Sequence, residues 1–215
     1  MRRLATFAAL TLAAYAPLAA ALDQNAAAPV PKGAYQIDQA HTSLLFRVSH
    51  LGFSTYTGRF TRIDAKLDFD PTRLAASRVN VTIDPRSIQA DNAPSGFLDS
   101  LAGKDWLDAE KFPAMAFRST NVEVTGKNSF RLHGDLTLHG VTKAIVLDAR
   151  FNGGYASHPY EPRARVGFSA TGQFKRSDFG VSHGIPAPGT TMGVSDEVEV
   201  ILESEFTGPP LVKTN

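Results

Sequence analysis

Residues 129–139, SFRLHGDLTLH, alternate without interruption. Phe130, Leu132, Gly134, Leu136 and Leu138 fall on one side, and Arg131, His133, Asp135, Thr137 and His139 on the other. Side chains of a β-strand point alternately to opposite faces, so this segment predicts a strand with one dry and one wet face. The segment is long for a strand, and segments like it recur down the chain. An antiparallel sheet curled around an apolar interior satisfies that pattern.

The recurring segments can be placed one by one. Leu44, Phe46, Val48 and His50 share a face of the first, with His41 in the turn before it. Ile63, Ala65, Leu67 and Phe69 share a face of the second, Phe60 falls out of phase, and a bulge near Thr61–Arg62 is expected. Val79, Val81 and Ile83 define a third that Pro85 closes. Residues 86–113 then break the β rhythm. Phe97, Leu98 and Leu101 recur at helical spacing before Gly103, which predicts a helical crossover covering one end or the open side of the sheet. Strands resume at Met115, and Gly153-Gly154 begins a long loop. Val166, Phe168, Ala170, Gly172 and Phe174 define the next strand, and Val198, Val200, Leu202 and Phe206 the last. The expected fold is all-β: an antiparallel barrel of about eight strands, with a helical insertion between the strands around 79–84 and 115–124.

Barrels of that size either fill themselves with side chains or hold one small ligand. Gly134, Ala149, Ala170 and Gly172 put small residues on inner faces, and 14 Phe supply an aromatic lining. Small residues also serve barrel taper and close strand packing, so alternation alone leaves hollow and filled barrels open.

The ends of the chain read differently. Arg2-Arg3, the apolar run Leu4–Tyr15 and the small residues Ala19-Ala20-Ala21 form a secretory signal peptide over 1–21. The run is too short for the ~20 residues of a spanning helix, so no stable membrane insertion is expected after cleavage. Residues 22–34 are Ala/Pro-rich and read as a flexible leader, 35–207 as the barrel domain and 208–215 as a tail. Without Arg2 and Arg3 the chain carries 20 basic against 21 acidic side chains, a balance that argues against nucleic acid as a partner. With no cysteine, disulfides, thiolate catalysis and Cys-ligated metals are excluded.

No catalytic constellation rises above this background. There is no GxSxG elbow, no phosphate-cradling glycine loop, and Asp178-Phe179-Gly180 lacks every companion of a kinase DFG. The six histidines show no HxH or HxxxH pairing. His133 and His139 belong to a wet face, His158 and His183 to loops, and His41 reads as a turn residue bonded to Asp38 or Ser43. No metal, cofactor or catalytic residue is assigned.

Four motifs in one order resemble the YceI family. They are YQIDQAHTSLLFRVSHLGF (35–53) followed by Thr57-Gly58-Arg59-Phe60, DWLDAEKFPAMAF (105–117), GDLTLHGVTK (134–143), and Lys175-Arg176-Ser177-Asp178-Phe179-Gly180. The resemblance covers roughly 35–206. It implies a lipocalin-like antiparallel barrel in a bacterial periplasm, usually a homodimer. It also implies an elongated hydrophobic cavity for a long-chain isoprenoid, such as a polyprenyl quinone-like lipid, or another long amphiphile. Many relatives carry Arg-Asp-x-His-Leu where this chain has Phe97-Leu98-Asp99-Ser100-Leu101, which bears either on the lipid head group or only on a solvated helix face.

The reading is therefore a periplasmic lipid-binding protein that sequesters or transports a polyisoprenoid. Phe46, Val48, Leu67, Phe69, Val81, Phe117, Leu136, Phe168 and Phe174 are the expected wall, because alternation points them inward. Phe97, Leu98 and Trp106 are expected at a lid or mouth. The alternatives are an enzyme acting on a lipophilic substrate in the same barrel, with His41 or His50, and a filled barrel serving as a stress or interaction module.

Overall fold

The computed structural model describes residues 30–210. The segment read as a signal peptide lies outside the described residues, as do 22–29 of the leader and 211–215 of the tail.

Ten strands and one short helix follow in chain order: β1 (Gly33–His50), β2 (Ser54–Phe60), β3 (Ile63–Phe69), β4 (Arg78–Ile83), β5 (Ile88–Gln89), α1 (Phe97–Ala102), β6 (Met115–Val124), β7 (Ser129–Leu138), β8 (Val141–Tyr155), β9 (Arg163–Lys175) and β10 (Glu197–Pro210). All pairings are antiparallel. The hydrogen-bonded order β1-β3-β4-β6-β7-β8-β9-β10 closes where β10 pairs back onto β1, giving a closed barrel of eight strands. Closure leaves this ring without an unpaired edge. β2 and β5 extend one side of it, β2 pairing with the second half of β1.

The alternation of β7 is realised residue by residue: Phe130, Gly134, Leu136 and Leu138 are buried, and Ser129, Arg131 and Asp135 exposed. His139, however, lies beyond the strand. With φ of 51° at His139 and 76° at Gly140, the two residues form a tight turn into β8, a conformation that suits type I′ hairpins. The His139 ring packs on Phe112, 4.6 Å between centroids, rather than standing on a wet strand face.

Other boundaries differ for identifiable reasons. The bulge expected at Thr61–Arg62 is a complete break between β2 and β3, which pair separately with the two halves of β1. The backbone of 61–62 turns instead to the segment after β4: Thr61 N–H donates to Ser87 O (3.2 Å) and Arg62 O accepts from Asp84 N–H (3.1 Å). Gly153-Gly154 does not begin a loop but continues β8, with a register shift between Phe151 and Gly153. The helical crossover contracts to the six residues of α1, flanked by turns and the two-residue β5. Gly33 and Ala34, read as leader, begin β1, where Tyr35 Oη donates to Pro31 O (2.6 Å) and Lys32 pairs with Asp70 (2.9 Å). Residues 208–210, read as tail, complete β10.

The four small inner residues divide into two kinds. A side chain at Gly134 would collide with the Phe117 ring, and one at Gly172 with Leu147. Neither glycine lies on the cavity wall, because a neighbour has filled its place. Gly134 therefore does not leave room for a ligand; it leaves room for Phe117. Ala149 and Ala170, opposite one another on β8 and β9, do face the interior.

Candidate functional site

The barrel encloses a cavity of about 550 Å³. Small-molecule sites commonly span roughly 300–1,000 Å³, so the interior is hollow on the scale of a ligand. Inward residues from the strands of the ring supply an almost wholly apolar wall.

Of the twelve residues expected at the site, Phe46, Val48, Leu67, Phe69, Val81, Phe117, Leu136, Phe168 and Phe174 line the cavity, as do Phe97 and Trp106. Leu98 does not. On α1, Phe97 and Leu101 are four apart and share the face turned to the cavity, while Leu98 is rotated away from it.

The two ends of the cavity are built differently. At one end Phe168 is the centre of an aromatic cluster, with ring centroids 5.7 Å from Phe69, 6.3 Å from Phe130, 5.5 Å from Phe151 and 6.1 Å from Phe206. The other end, where β1 and β9 finish, is covered by Pro94, Phe97, Leu101, Trp106 and Leu107 from the β5–β6 connection, and by Val181 and Val194 from the β9–β10 connection.

Arg176 holds this second end together, and sequence reasoning missed it. Its residue is 4% exposed, yet among the described residues no carboxylate forms an ion pair with it. Nε donates to Ser195 O (2.9 Å), Nη1 to Val181 O (3.0 Å) and His183 O (2.8 Å), and Nη2 to Val194 O (2.9 Å). The guanidinium also stands 5.1 Å from the Trp106 ring. Burial pulls its pKa below the usual arginine value, while the nearby Asp196 carboxylate acts in the opposite sense. One side chain thus ties both covering segments over the cavity. The available signal was its position in the K-R-S-D-F-G motif; a lone arginine after a strand otherwise reads as solvated.

The other polar wall residues are His50, Tyr56, Ser77, Arg78 and Ser204. Ser77 Oγ accepts from Asp70 N–H (3.0 Å), Arg78 donates to Ala75 O and Ser77 O, and Ser204 donates to Phe168 O (3.4 Å). Tyr56 lines the cavity beside Phe97, 5.9 Å between centroids. Among the described residues its hydroxyl is buried without a hydrogen-bond partner, and burial raises its pKa.

The remaining histidines lie elsewhere. His133 reaches Glu123 (3.1 Å) on the outer surface, and His183 packs on Trp106 at 5.1 Å. His41 lies within β1, at its irregularity between Asp38 and Ser43, and meets Asp38 at 2.8 Å rather than preceding the strand in a turn. Asp38, His41 and Glu205 converge closely enough to suggest a metal site. Arg165 already occupies it, donating from Nη1 to Asp38 (2.7 Å) and Glu205 (2.5 Å) and from Nη2 to Glu161 (3.0 Å). Burial would raise the Asp38 pKa, but the hydrogen bonds from His41 and Arg165 outweigh it and hold the group at about 2. A cation would have to displace a guanidinium that already balances the site.

Residues 35–206 match the family model of the YceI-like domain. A UPF0312 protein of Vibrio cholerae is 37% identical over 173 residues, 80% of this chain and 85% of its own length. A UPF0312 protein of Yersinia pseudotuberculosis is 36% identical over 174 residues, 80% and 84% of the two chains. Among solved structures, Burkholderia cenocepacia BcnA superposes with a TM-score of 0.67 at 25% identity, covering 79% of this chain and 98% of its own. The Campylobacter jejuni YCEI protein does so at 0.63 and 31%, covering 75% and 90%. A polyisoprenoid binding domain from Saccharophagus degradans shares the fold at a TM-score of 0.56 and 14% identity, covering 81% and 98%.

Proposed function

The chain belongs to the YceI family, and on that premise we propose that it is an exported lipid-binding protein holding a long polyisoprenoid, or a similar amphiphile, inside the barrel. The observation that carries this reading is the apolar cavity of about 550 Å³ at the centre of a closed barrel. Desolvation supplies the binding energy: each buried CH₂ contributes about 0.8 kcal/mol, so several isoprene units bind firmly with few hydrogen bonds. Such a wall selects weakly by chain length, because one methylene in an apolar pocket discriminates little. The Saccharophagus domain, described as polyisoprenoid-binding, points the same way.

A binding role fits the site better than catalysis. The inner polar groups are few, and those of Ser77, Arg78, Arg176 and Ser204 are engaged in holding the protein's own backbone. A filled-barrel interaction module does not fit a ligand-sized void. Export to the periplasm rests on the basic start, apolar run and small residues of 1–21, and sequestration or transport there is the role proposed. Pairing of two copies belongs to the same reading through the family. Organic-solvent extraction of the purified protein, followed by mass spectrometry, tests the proposal. Recovery of an isoprenoid supports it; no lipid recovered and no uptake of an added polyprenyl quinone refutes it.

A further inference from the structure

Few large apolar side chains stand out in solvent among the described residues, and two of them stand together. Phe53 is 80% exposed and Met192 64%. Both sit at the loop-covered end of the barrel, Phe53 in the turn from β1 to β2 and Met192 in the β9–β10 connection. The two tips adjoin. Leu51 N–H donates to Gly193 O (2.8 Å), Thr191 Oγ1 to Leu51 O (3.3 Å) and Ser49 N–H to Ser195 Oγ (2.9 Å). Neither Phe53 nor Met192 lines the cavity.

Neither exposure is that of a slack loop. Phe53 N–H closes its turn on His50 O (3.0 Å), with Leu51 and Gly52 both at positive φ, the backbone of a tight hairpin turn. The Met192 tip is held at its base by Arg176, which donates to Val194 O and Ser195 O. Both segments also lack charge. Residues 48–58 and 179–195 contain no Asp, Glu, Lys or Arg, in a chain where such residues make up 20%. A surface that recruits an acidic or basic partner carries the opposite charge, and this one carries none. Apolar side chains on a rigid, uncharged tip suit entry into the headgroup region of a bilayer. The same segments supply His50, Val181 and Val194 to the cavity wall, so the tip is continuous with the cover of the cavity. Charge at this end lies to one side, on Asp99 of α1 and on Lys104 and Asp105 after it.

We propose that Phe53 and Met192 form a bilayer-docking tip: the two side chains enter the headgroup region of a membrane and set the covered end of the barrel against it. The partner is the lipid surface itself, held by apolar contact and not by charge. The choice of a bilayer rests on the lipid-binding reading, since docking there lets an apolar cargo pass between membrane and cavity without crossing water. Docking itself needs no cargo.

The test is flotation of the protein as exported, without residues 1–21, whose apolar run would bind lipid by itself. The probes are phosphatidylcholine vesicles, with and without phosphatidylglycerol, at low and high salt. Wild type should float with both, and salt should leave the bound fraction unchanged, because no charge is being screened. Phe53→Ser should weaken partitioning roughly tenfold and Met192→Ser in the same direction, whereas Phe53→Trp should bind at least as well. Tyr160→Ser, in the β8–β9 turn at the opposite end and 94% exposed, should bind as wild type does. Uptake of a polyprenyl quinone from detergent should be equal in every variant, since none of these side chains lines the cavity. No flotation of the wild type, binding lost at high salt, or equal loss in Tyr160→Ser overturns the docking tip. A wild-type dimer that Phe53→Ser dissociates, with no flotation, assigns the surface to a second copy and overturns it too. A wild type that floats but takes up no quinone overturns the lipid-binding reading and leaves the tip standing.

Discussion

The ring of Phe117 on β6 occupies the space that a side chain at Gly134 on β7 would need. The two strands pair so that Phe117 faces Leu136 and lies diagonally across Gly134. Aromatic cover over a glycine restores the packing that the missing side chain forfeits. Gly134→Ala should therefore overpack the wall and destabilise the barrel by about 1–3 kcal/mol. Urea unfolding would show it as a lower midpoint. Because the added methyl must displace the Phe117 ring, itself a wall residue, lipid uptake by the folded variant should also be weaker than in the wild type.

Arg176 makes a second, larger prediction. Lysine keeps the charge, but one ammonium cannot reproduce a planar fork serving four carbonyls. Arg176→Lys should cost about 2–4 kcal/mol, since carbonyls of the β9–β10 connection lose their donor in a buried setting. Trp106 would lose the guanidinium beside its ring and gain water, moving its emission to the red. An unchanged spectrum together with unchanged stability would contradict the pinning role.

Acid should expose the Asp38–Arg165 pair. The folded-state pKa of Asp38 is depressed to about 2, against about 3.9 for a free Asp. Its contribution is therefore present above about pH 4 and lost as pH falls towards 2. After solvent screening it amounts to about 1–2 kcal/mol. Asp38→Asn should be less stable than wild type at neutral pH, and the difference should shrink through that window. Thermal unfolding across pH 2–7 measures it.

Alkali should act through Tyr35. Burial raises its hydroxyl to about 12, so the group stays protonated in the fold where the unfolded chain ionises near 10. The stability linked to this group is intact below pH 10 and lost as pH rises towards 12. Tyr35→Phe should flatten the alkaline limb of the stability curve.

The barrel was legible because alternation marks faces directly: the wall residues of β3, β7, β9 and β10 were readable from spacing two. Spacing failed where two inward residues stand an odd number apart. Phe60 and Ile63 both line the cavity, and only a full break at Thr61–Arg62, with its backbone groups taken up by the segment after β4, permits that. Leu98 failed for the opposite reason, since in a helix this short the 3.6-residue period is sampled too few times to tell it from Leu101. Gly134 looked like vacant space because a sequence shows what a residue lacks, not which neighbour moves in. Arg176 stayed hidden because its significance lies in distant partners, carbonyls up to nineteen residues away.

Uptake of a polyprenyl quinone by lipid-free protein tests the central claim most directly, with wild type compared against Ala170→Trp. Ala170 faces the cavity opposite Ala149, and an indole there fills the space both leave open. The account predicts about one quinone per wild-type chain, as expected for a single cavity of this size, and little or none in the folded variant. Equal uptake by both proteins, or none by the wild type, would contradict a ligand held inside the barrel.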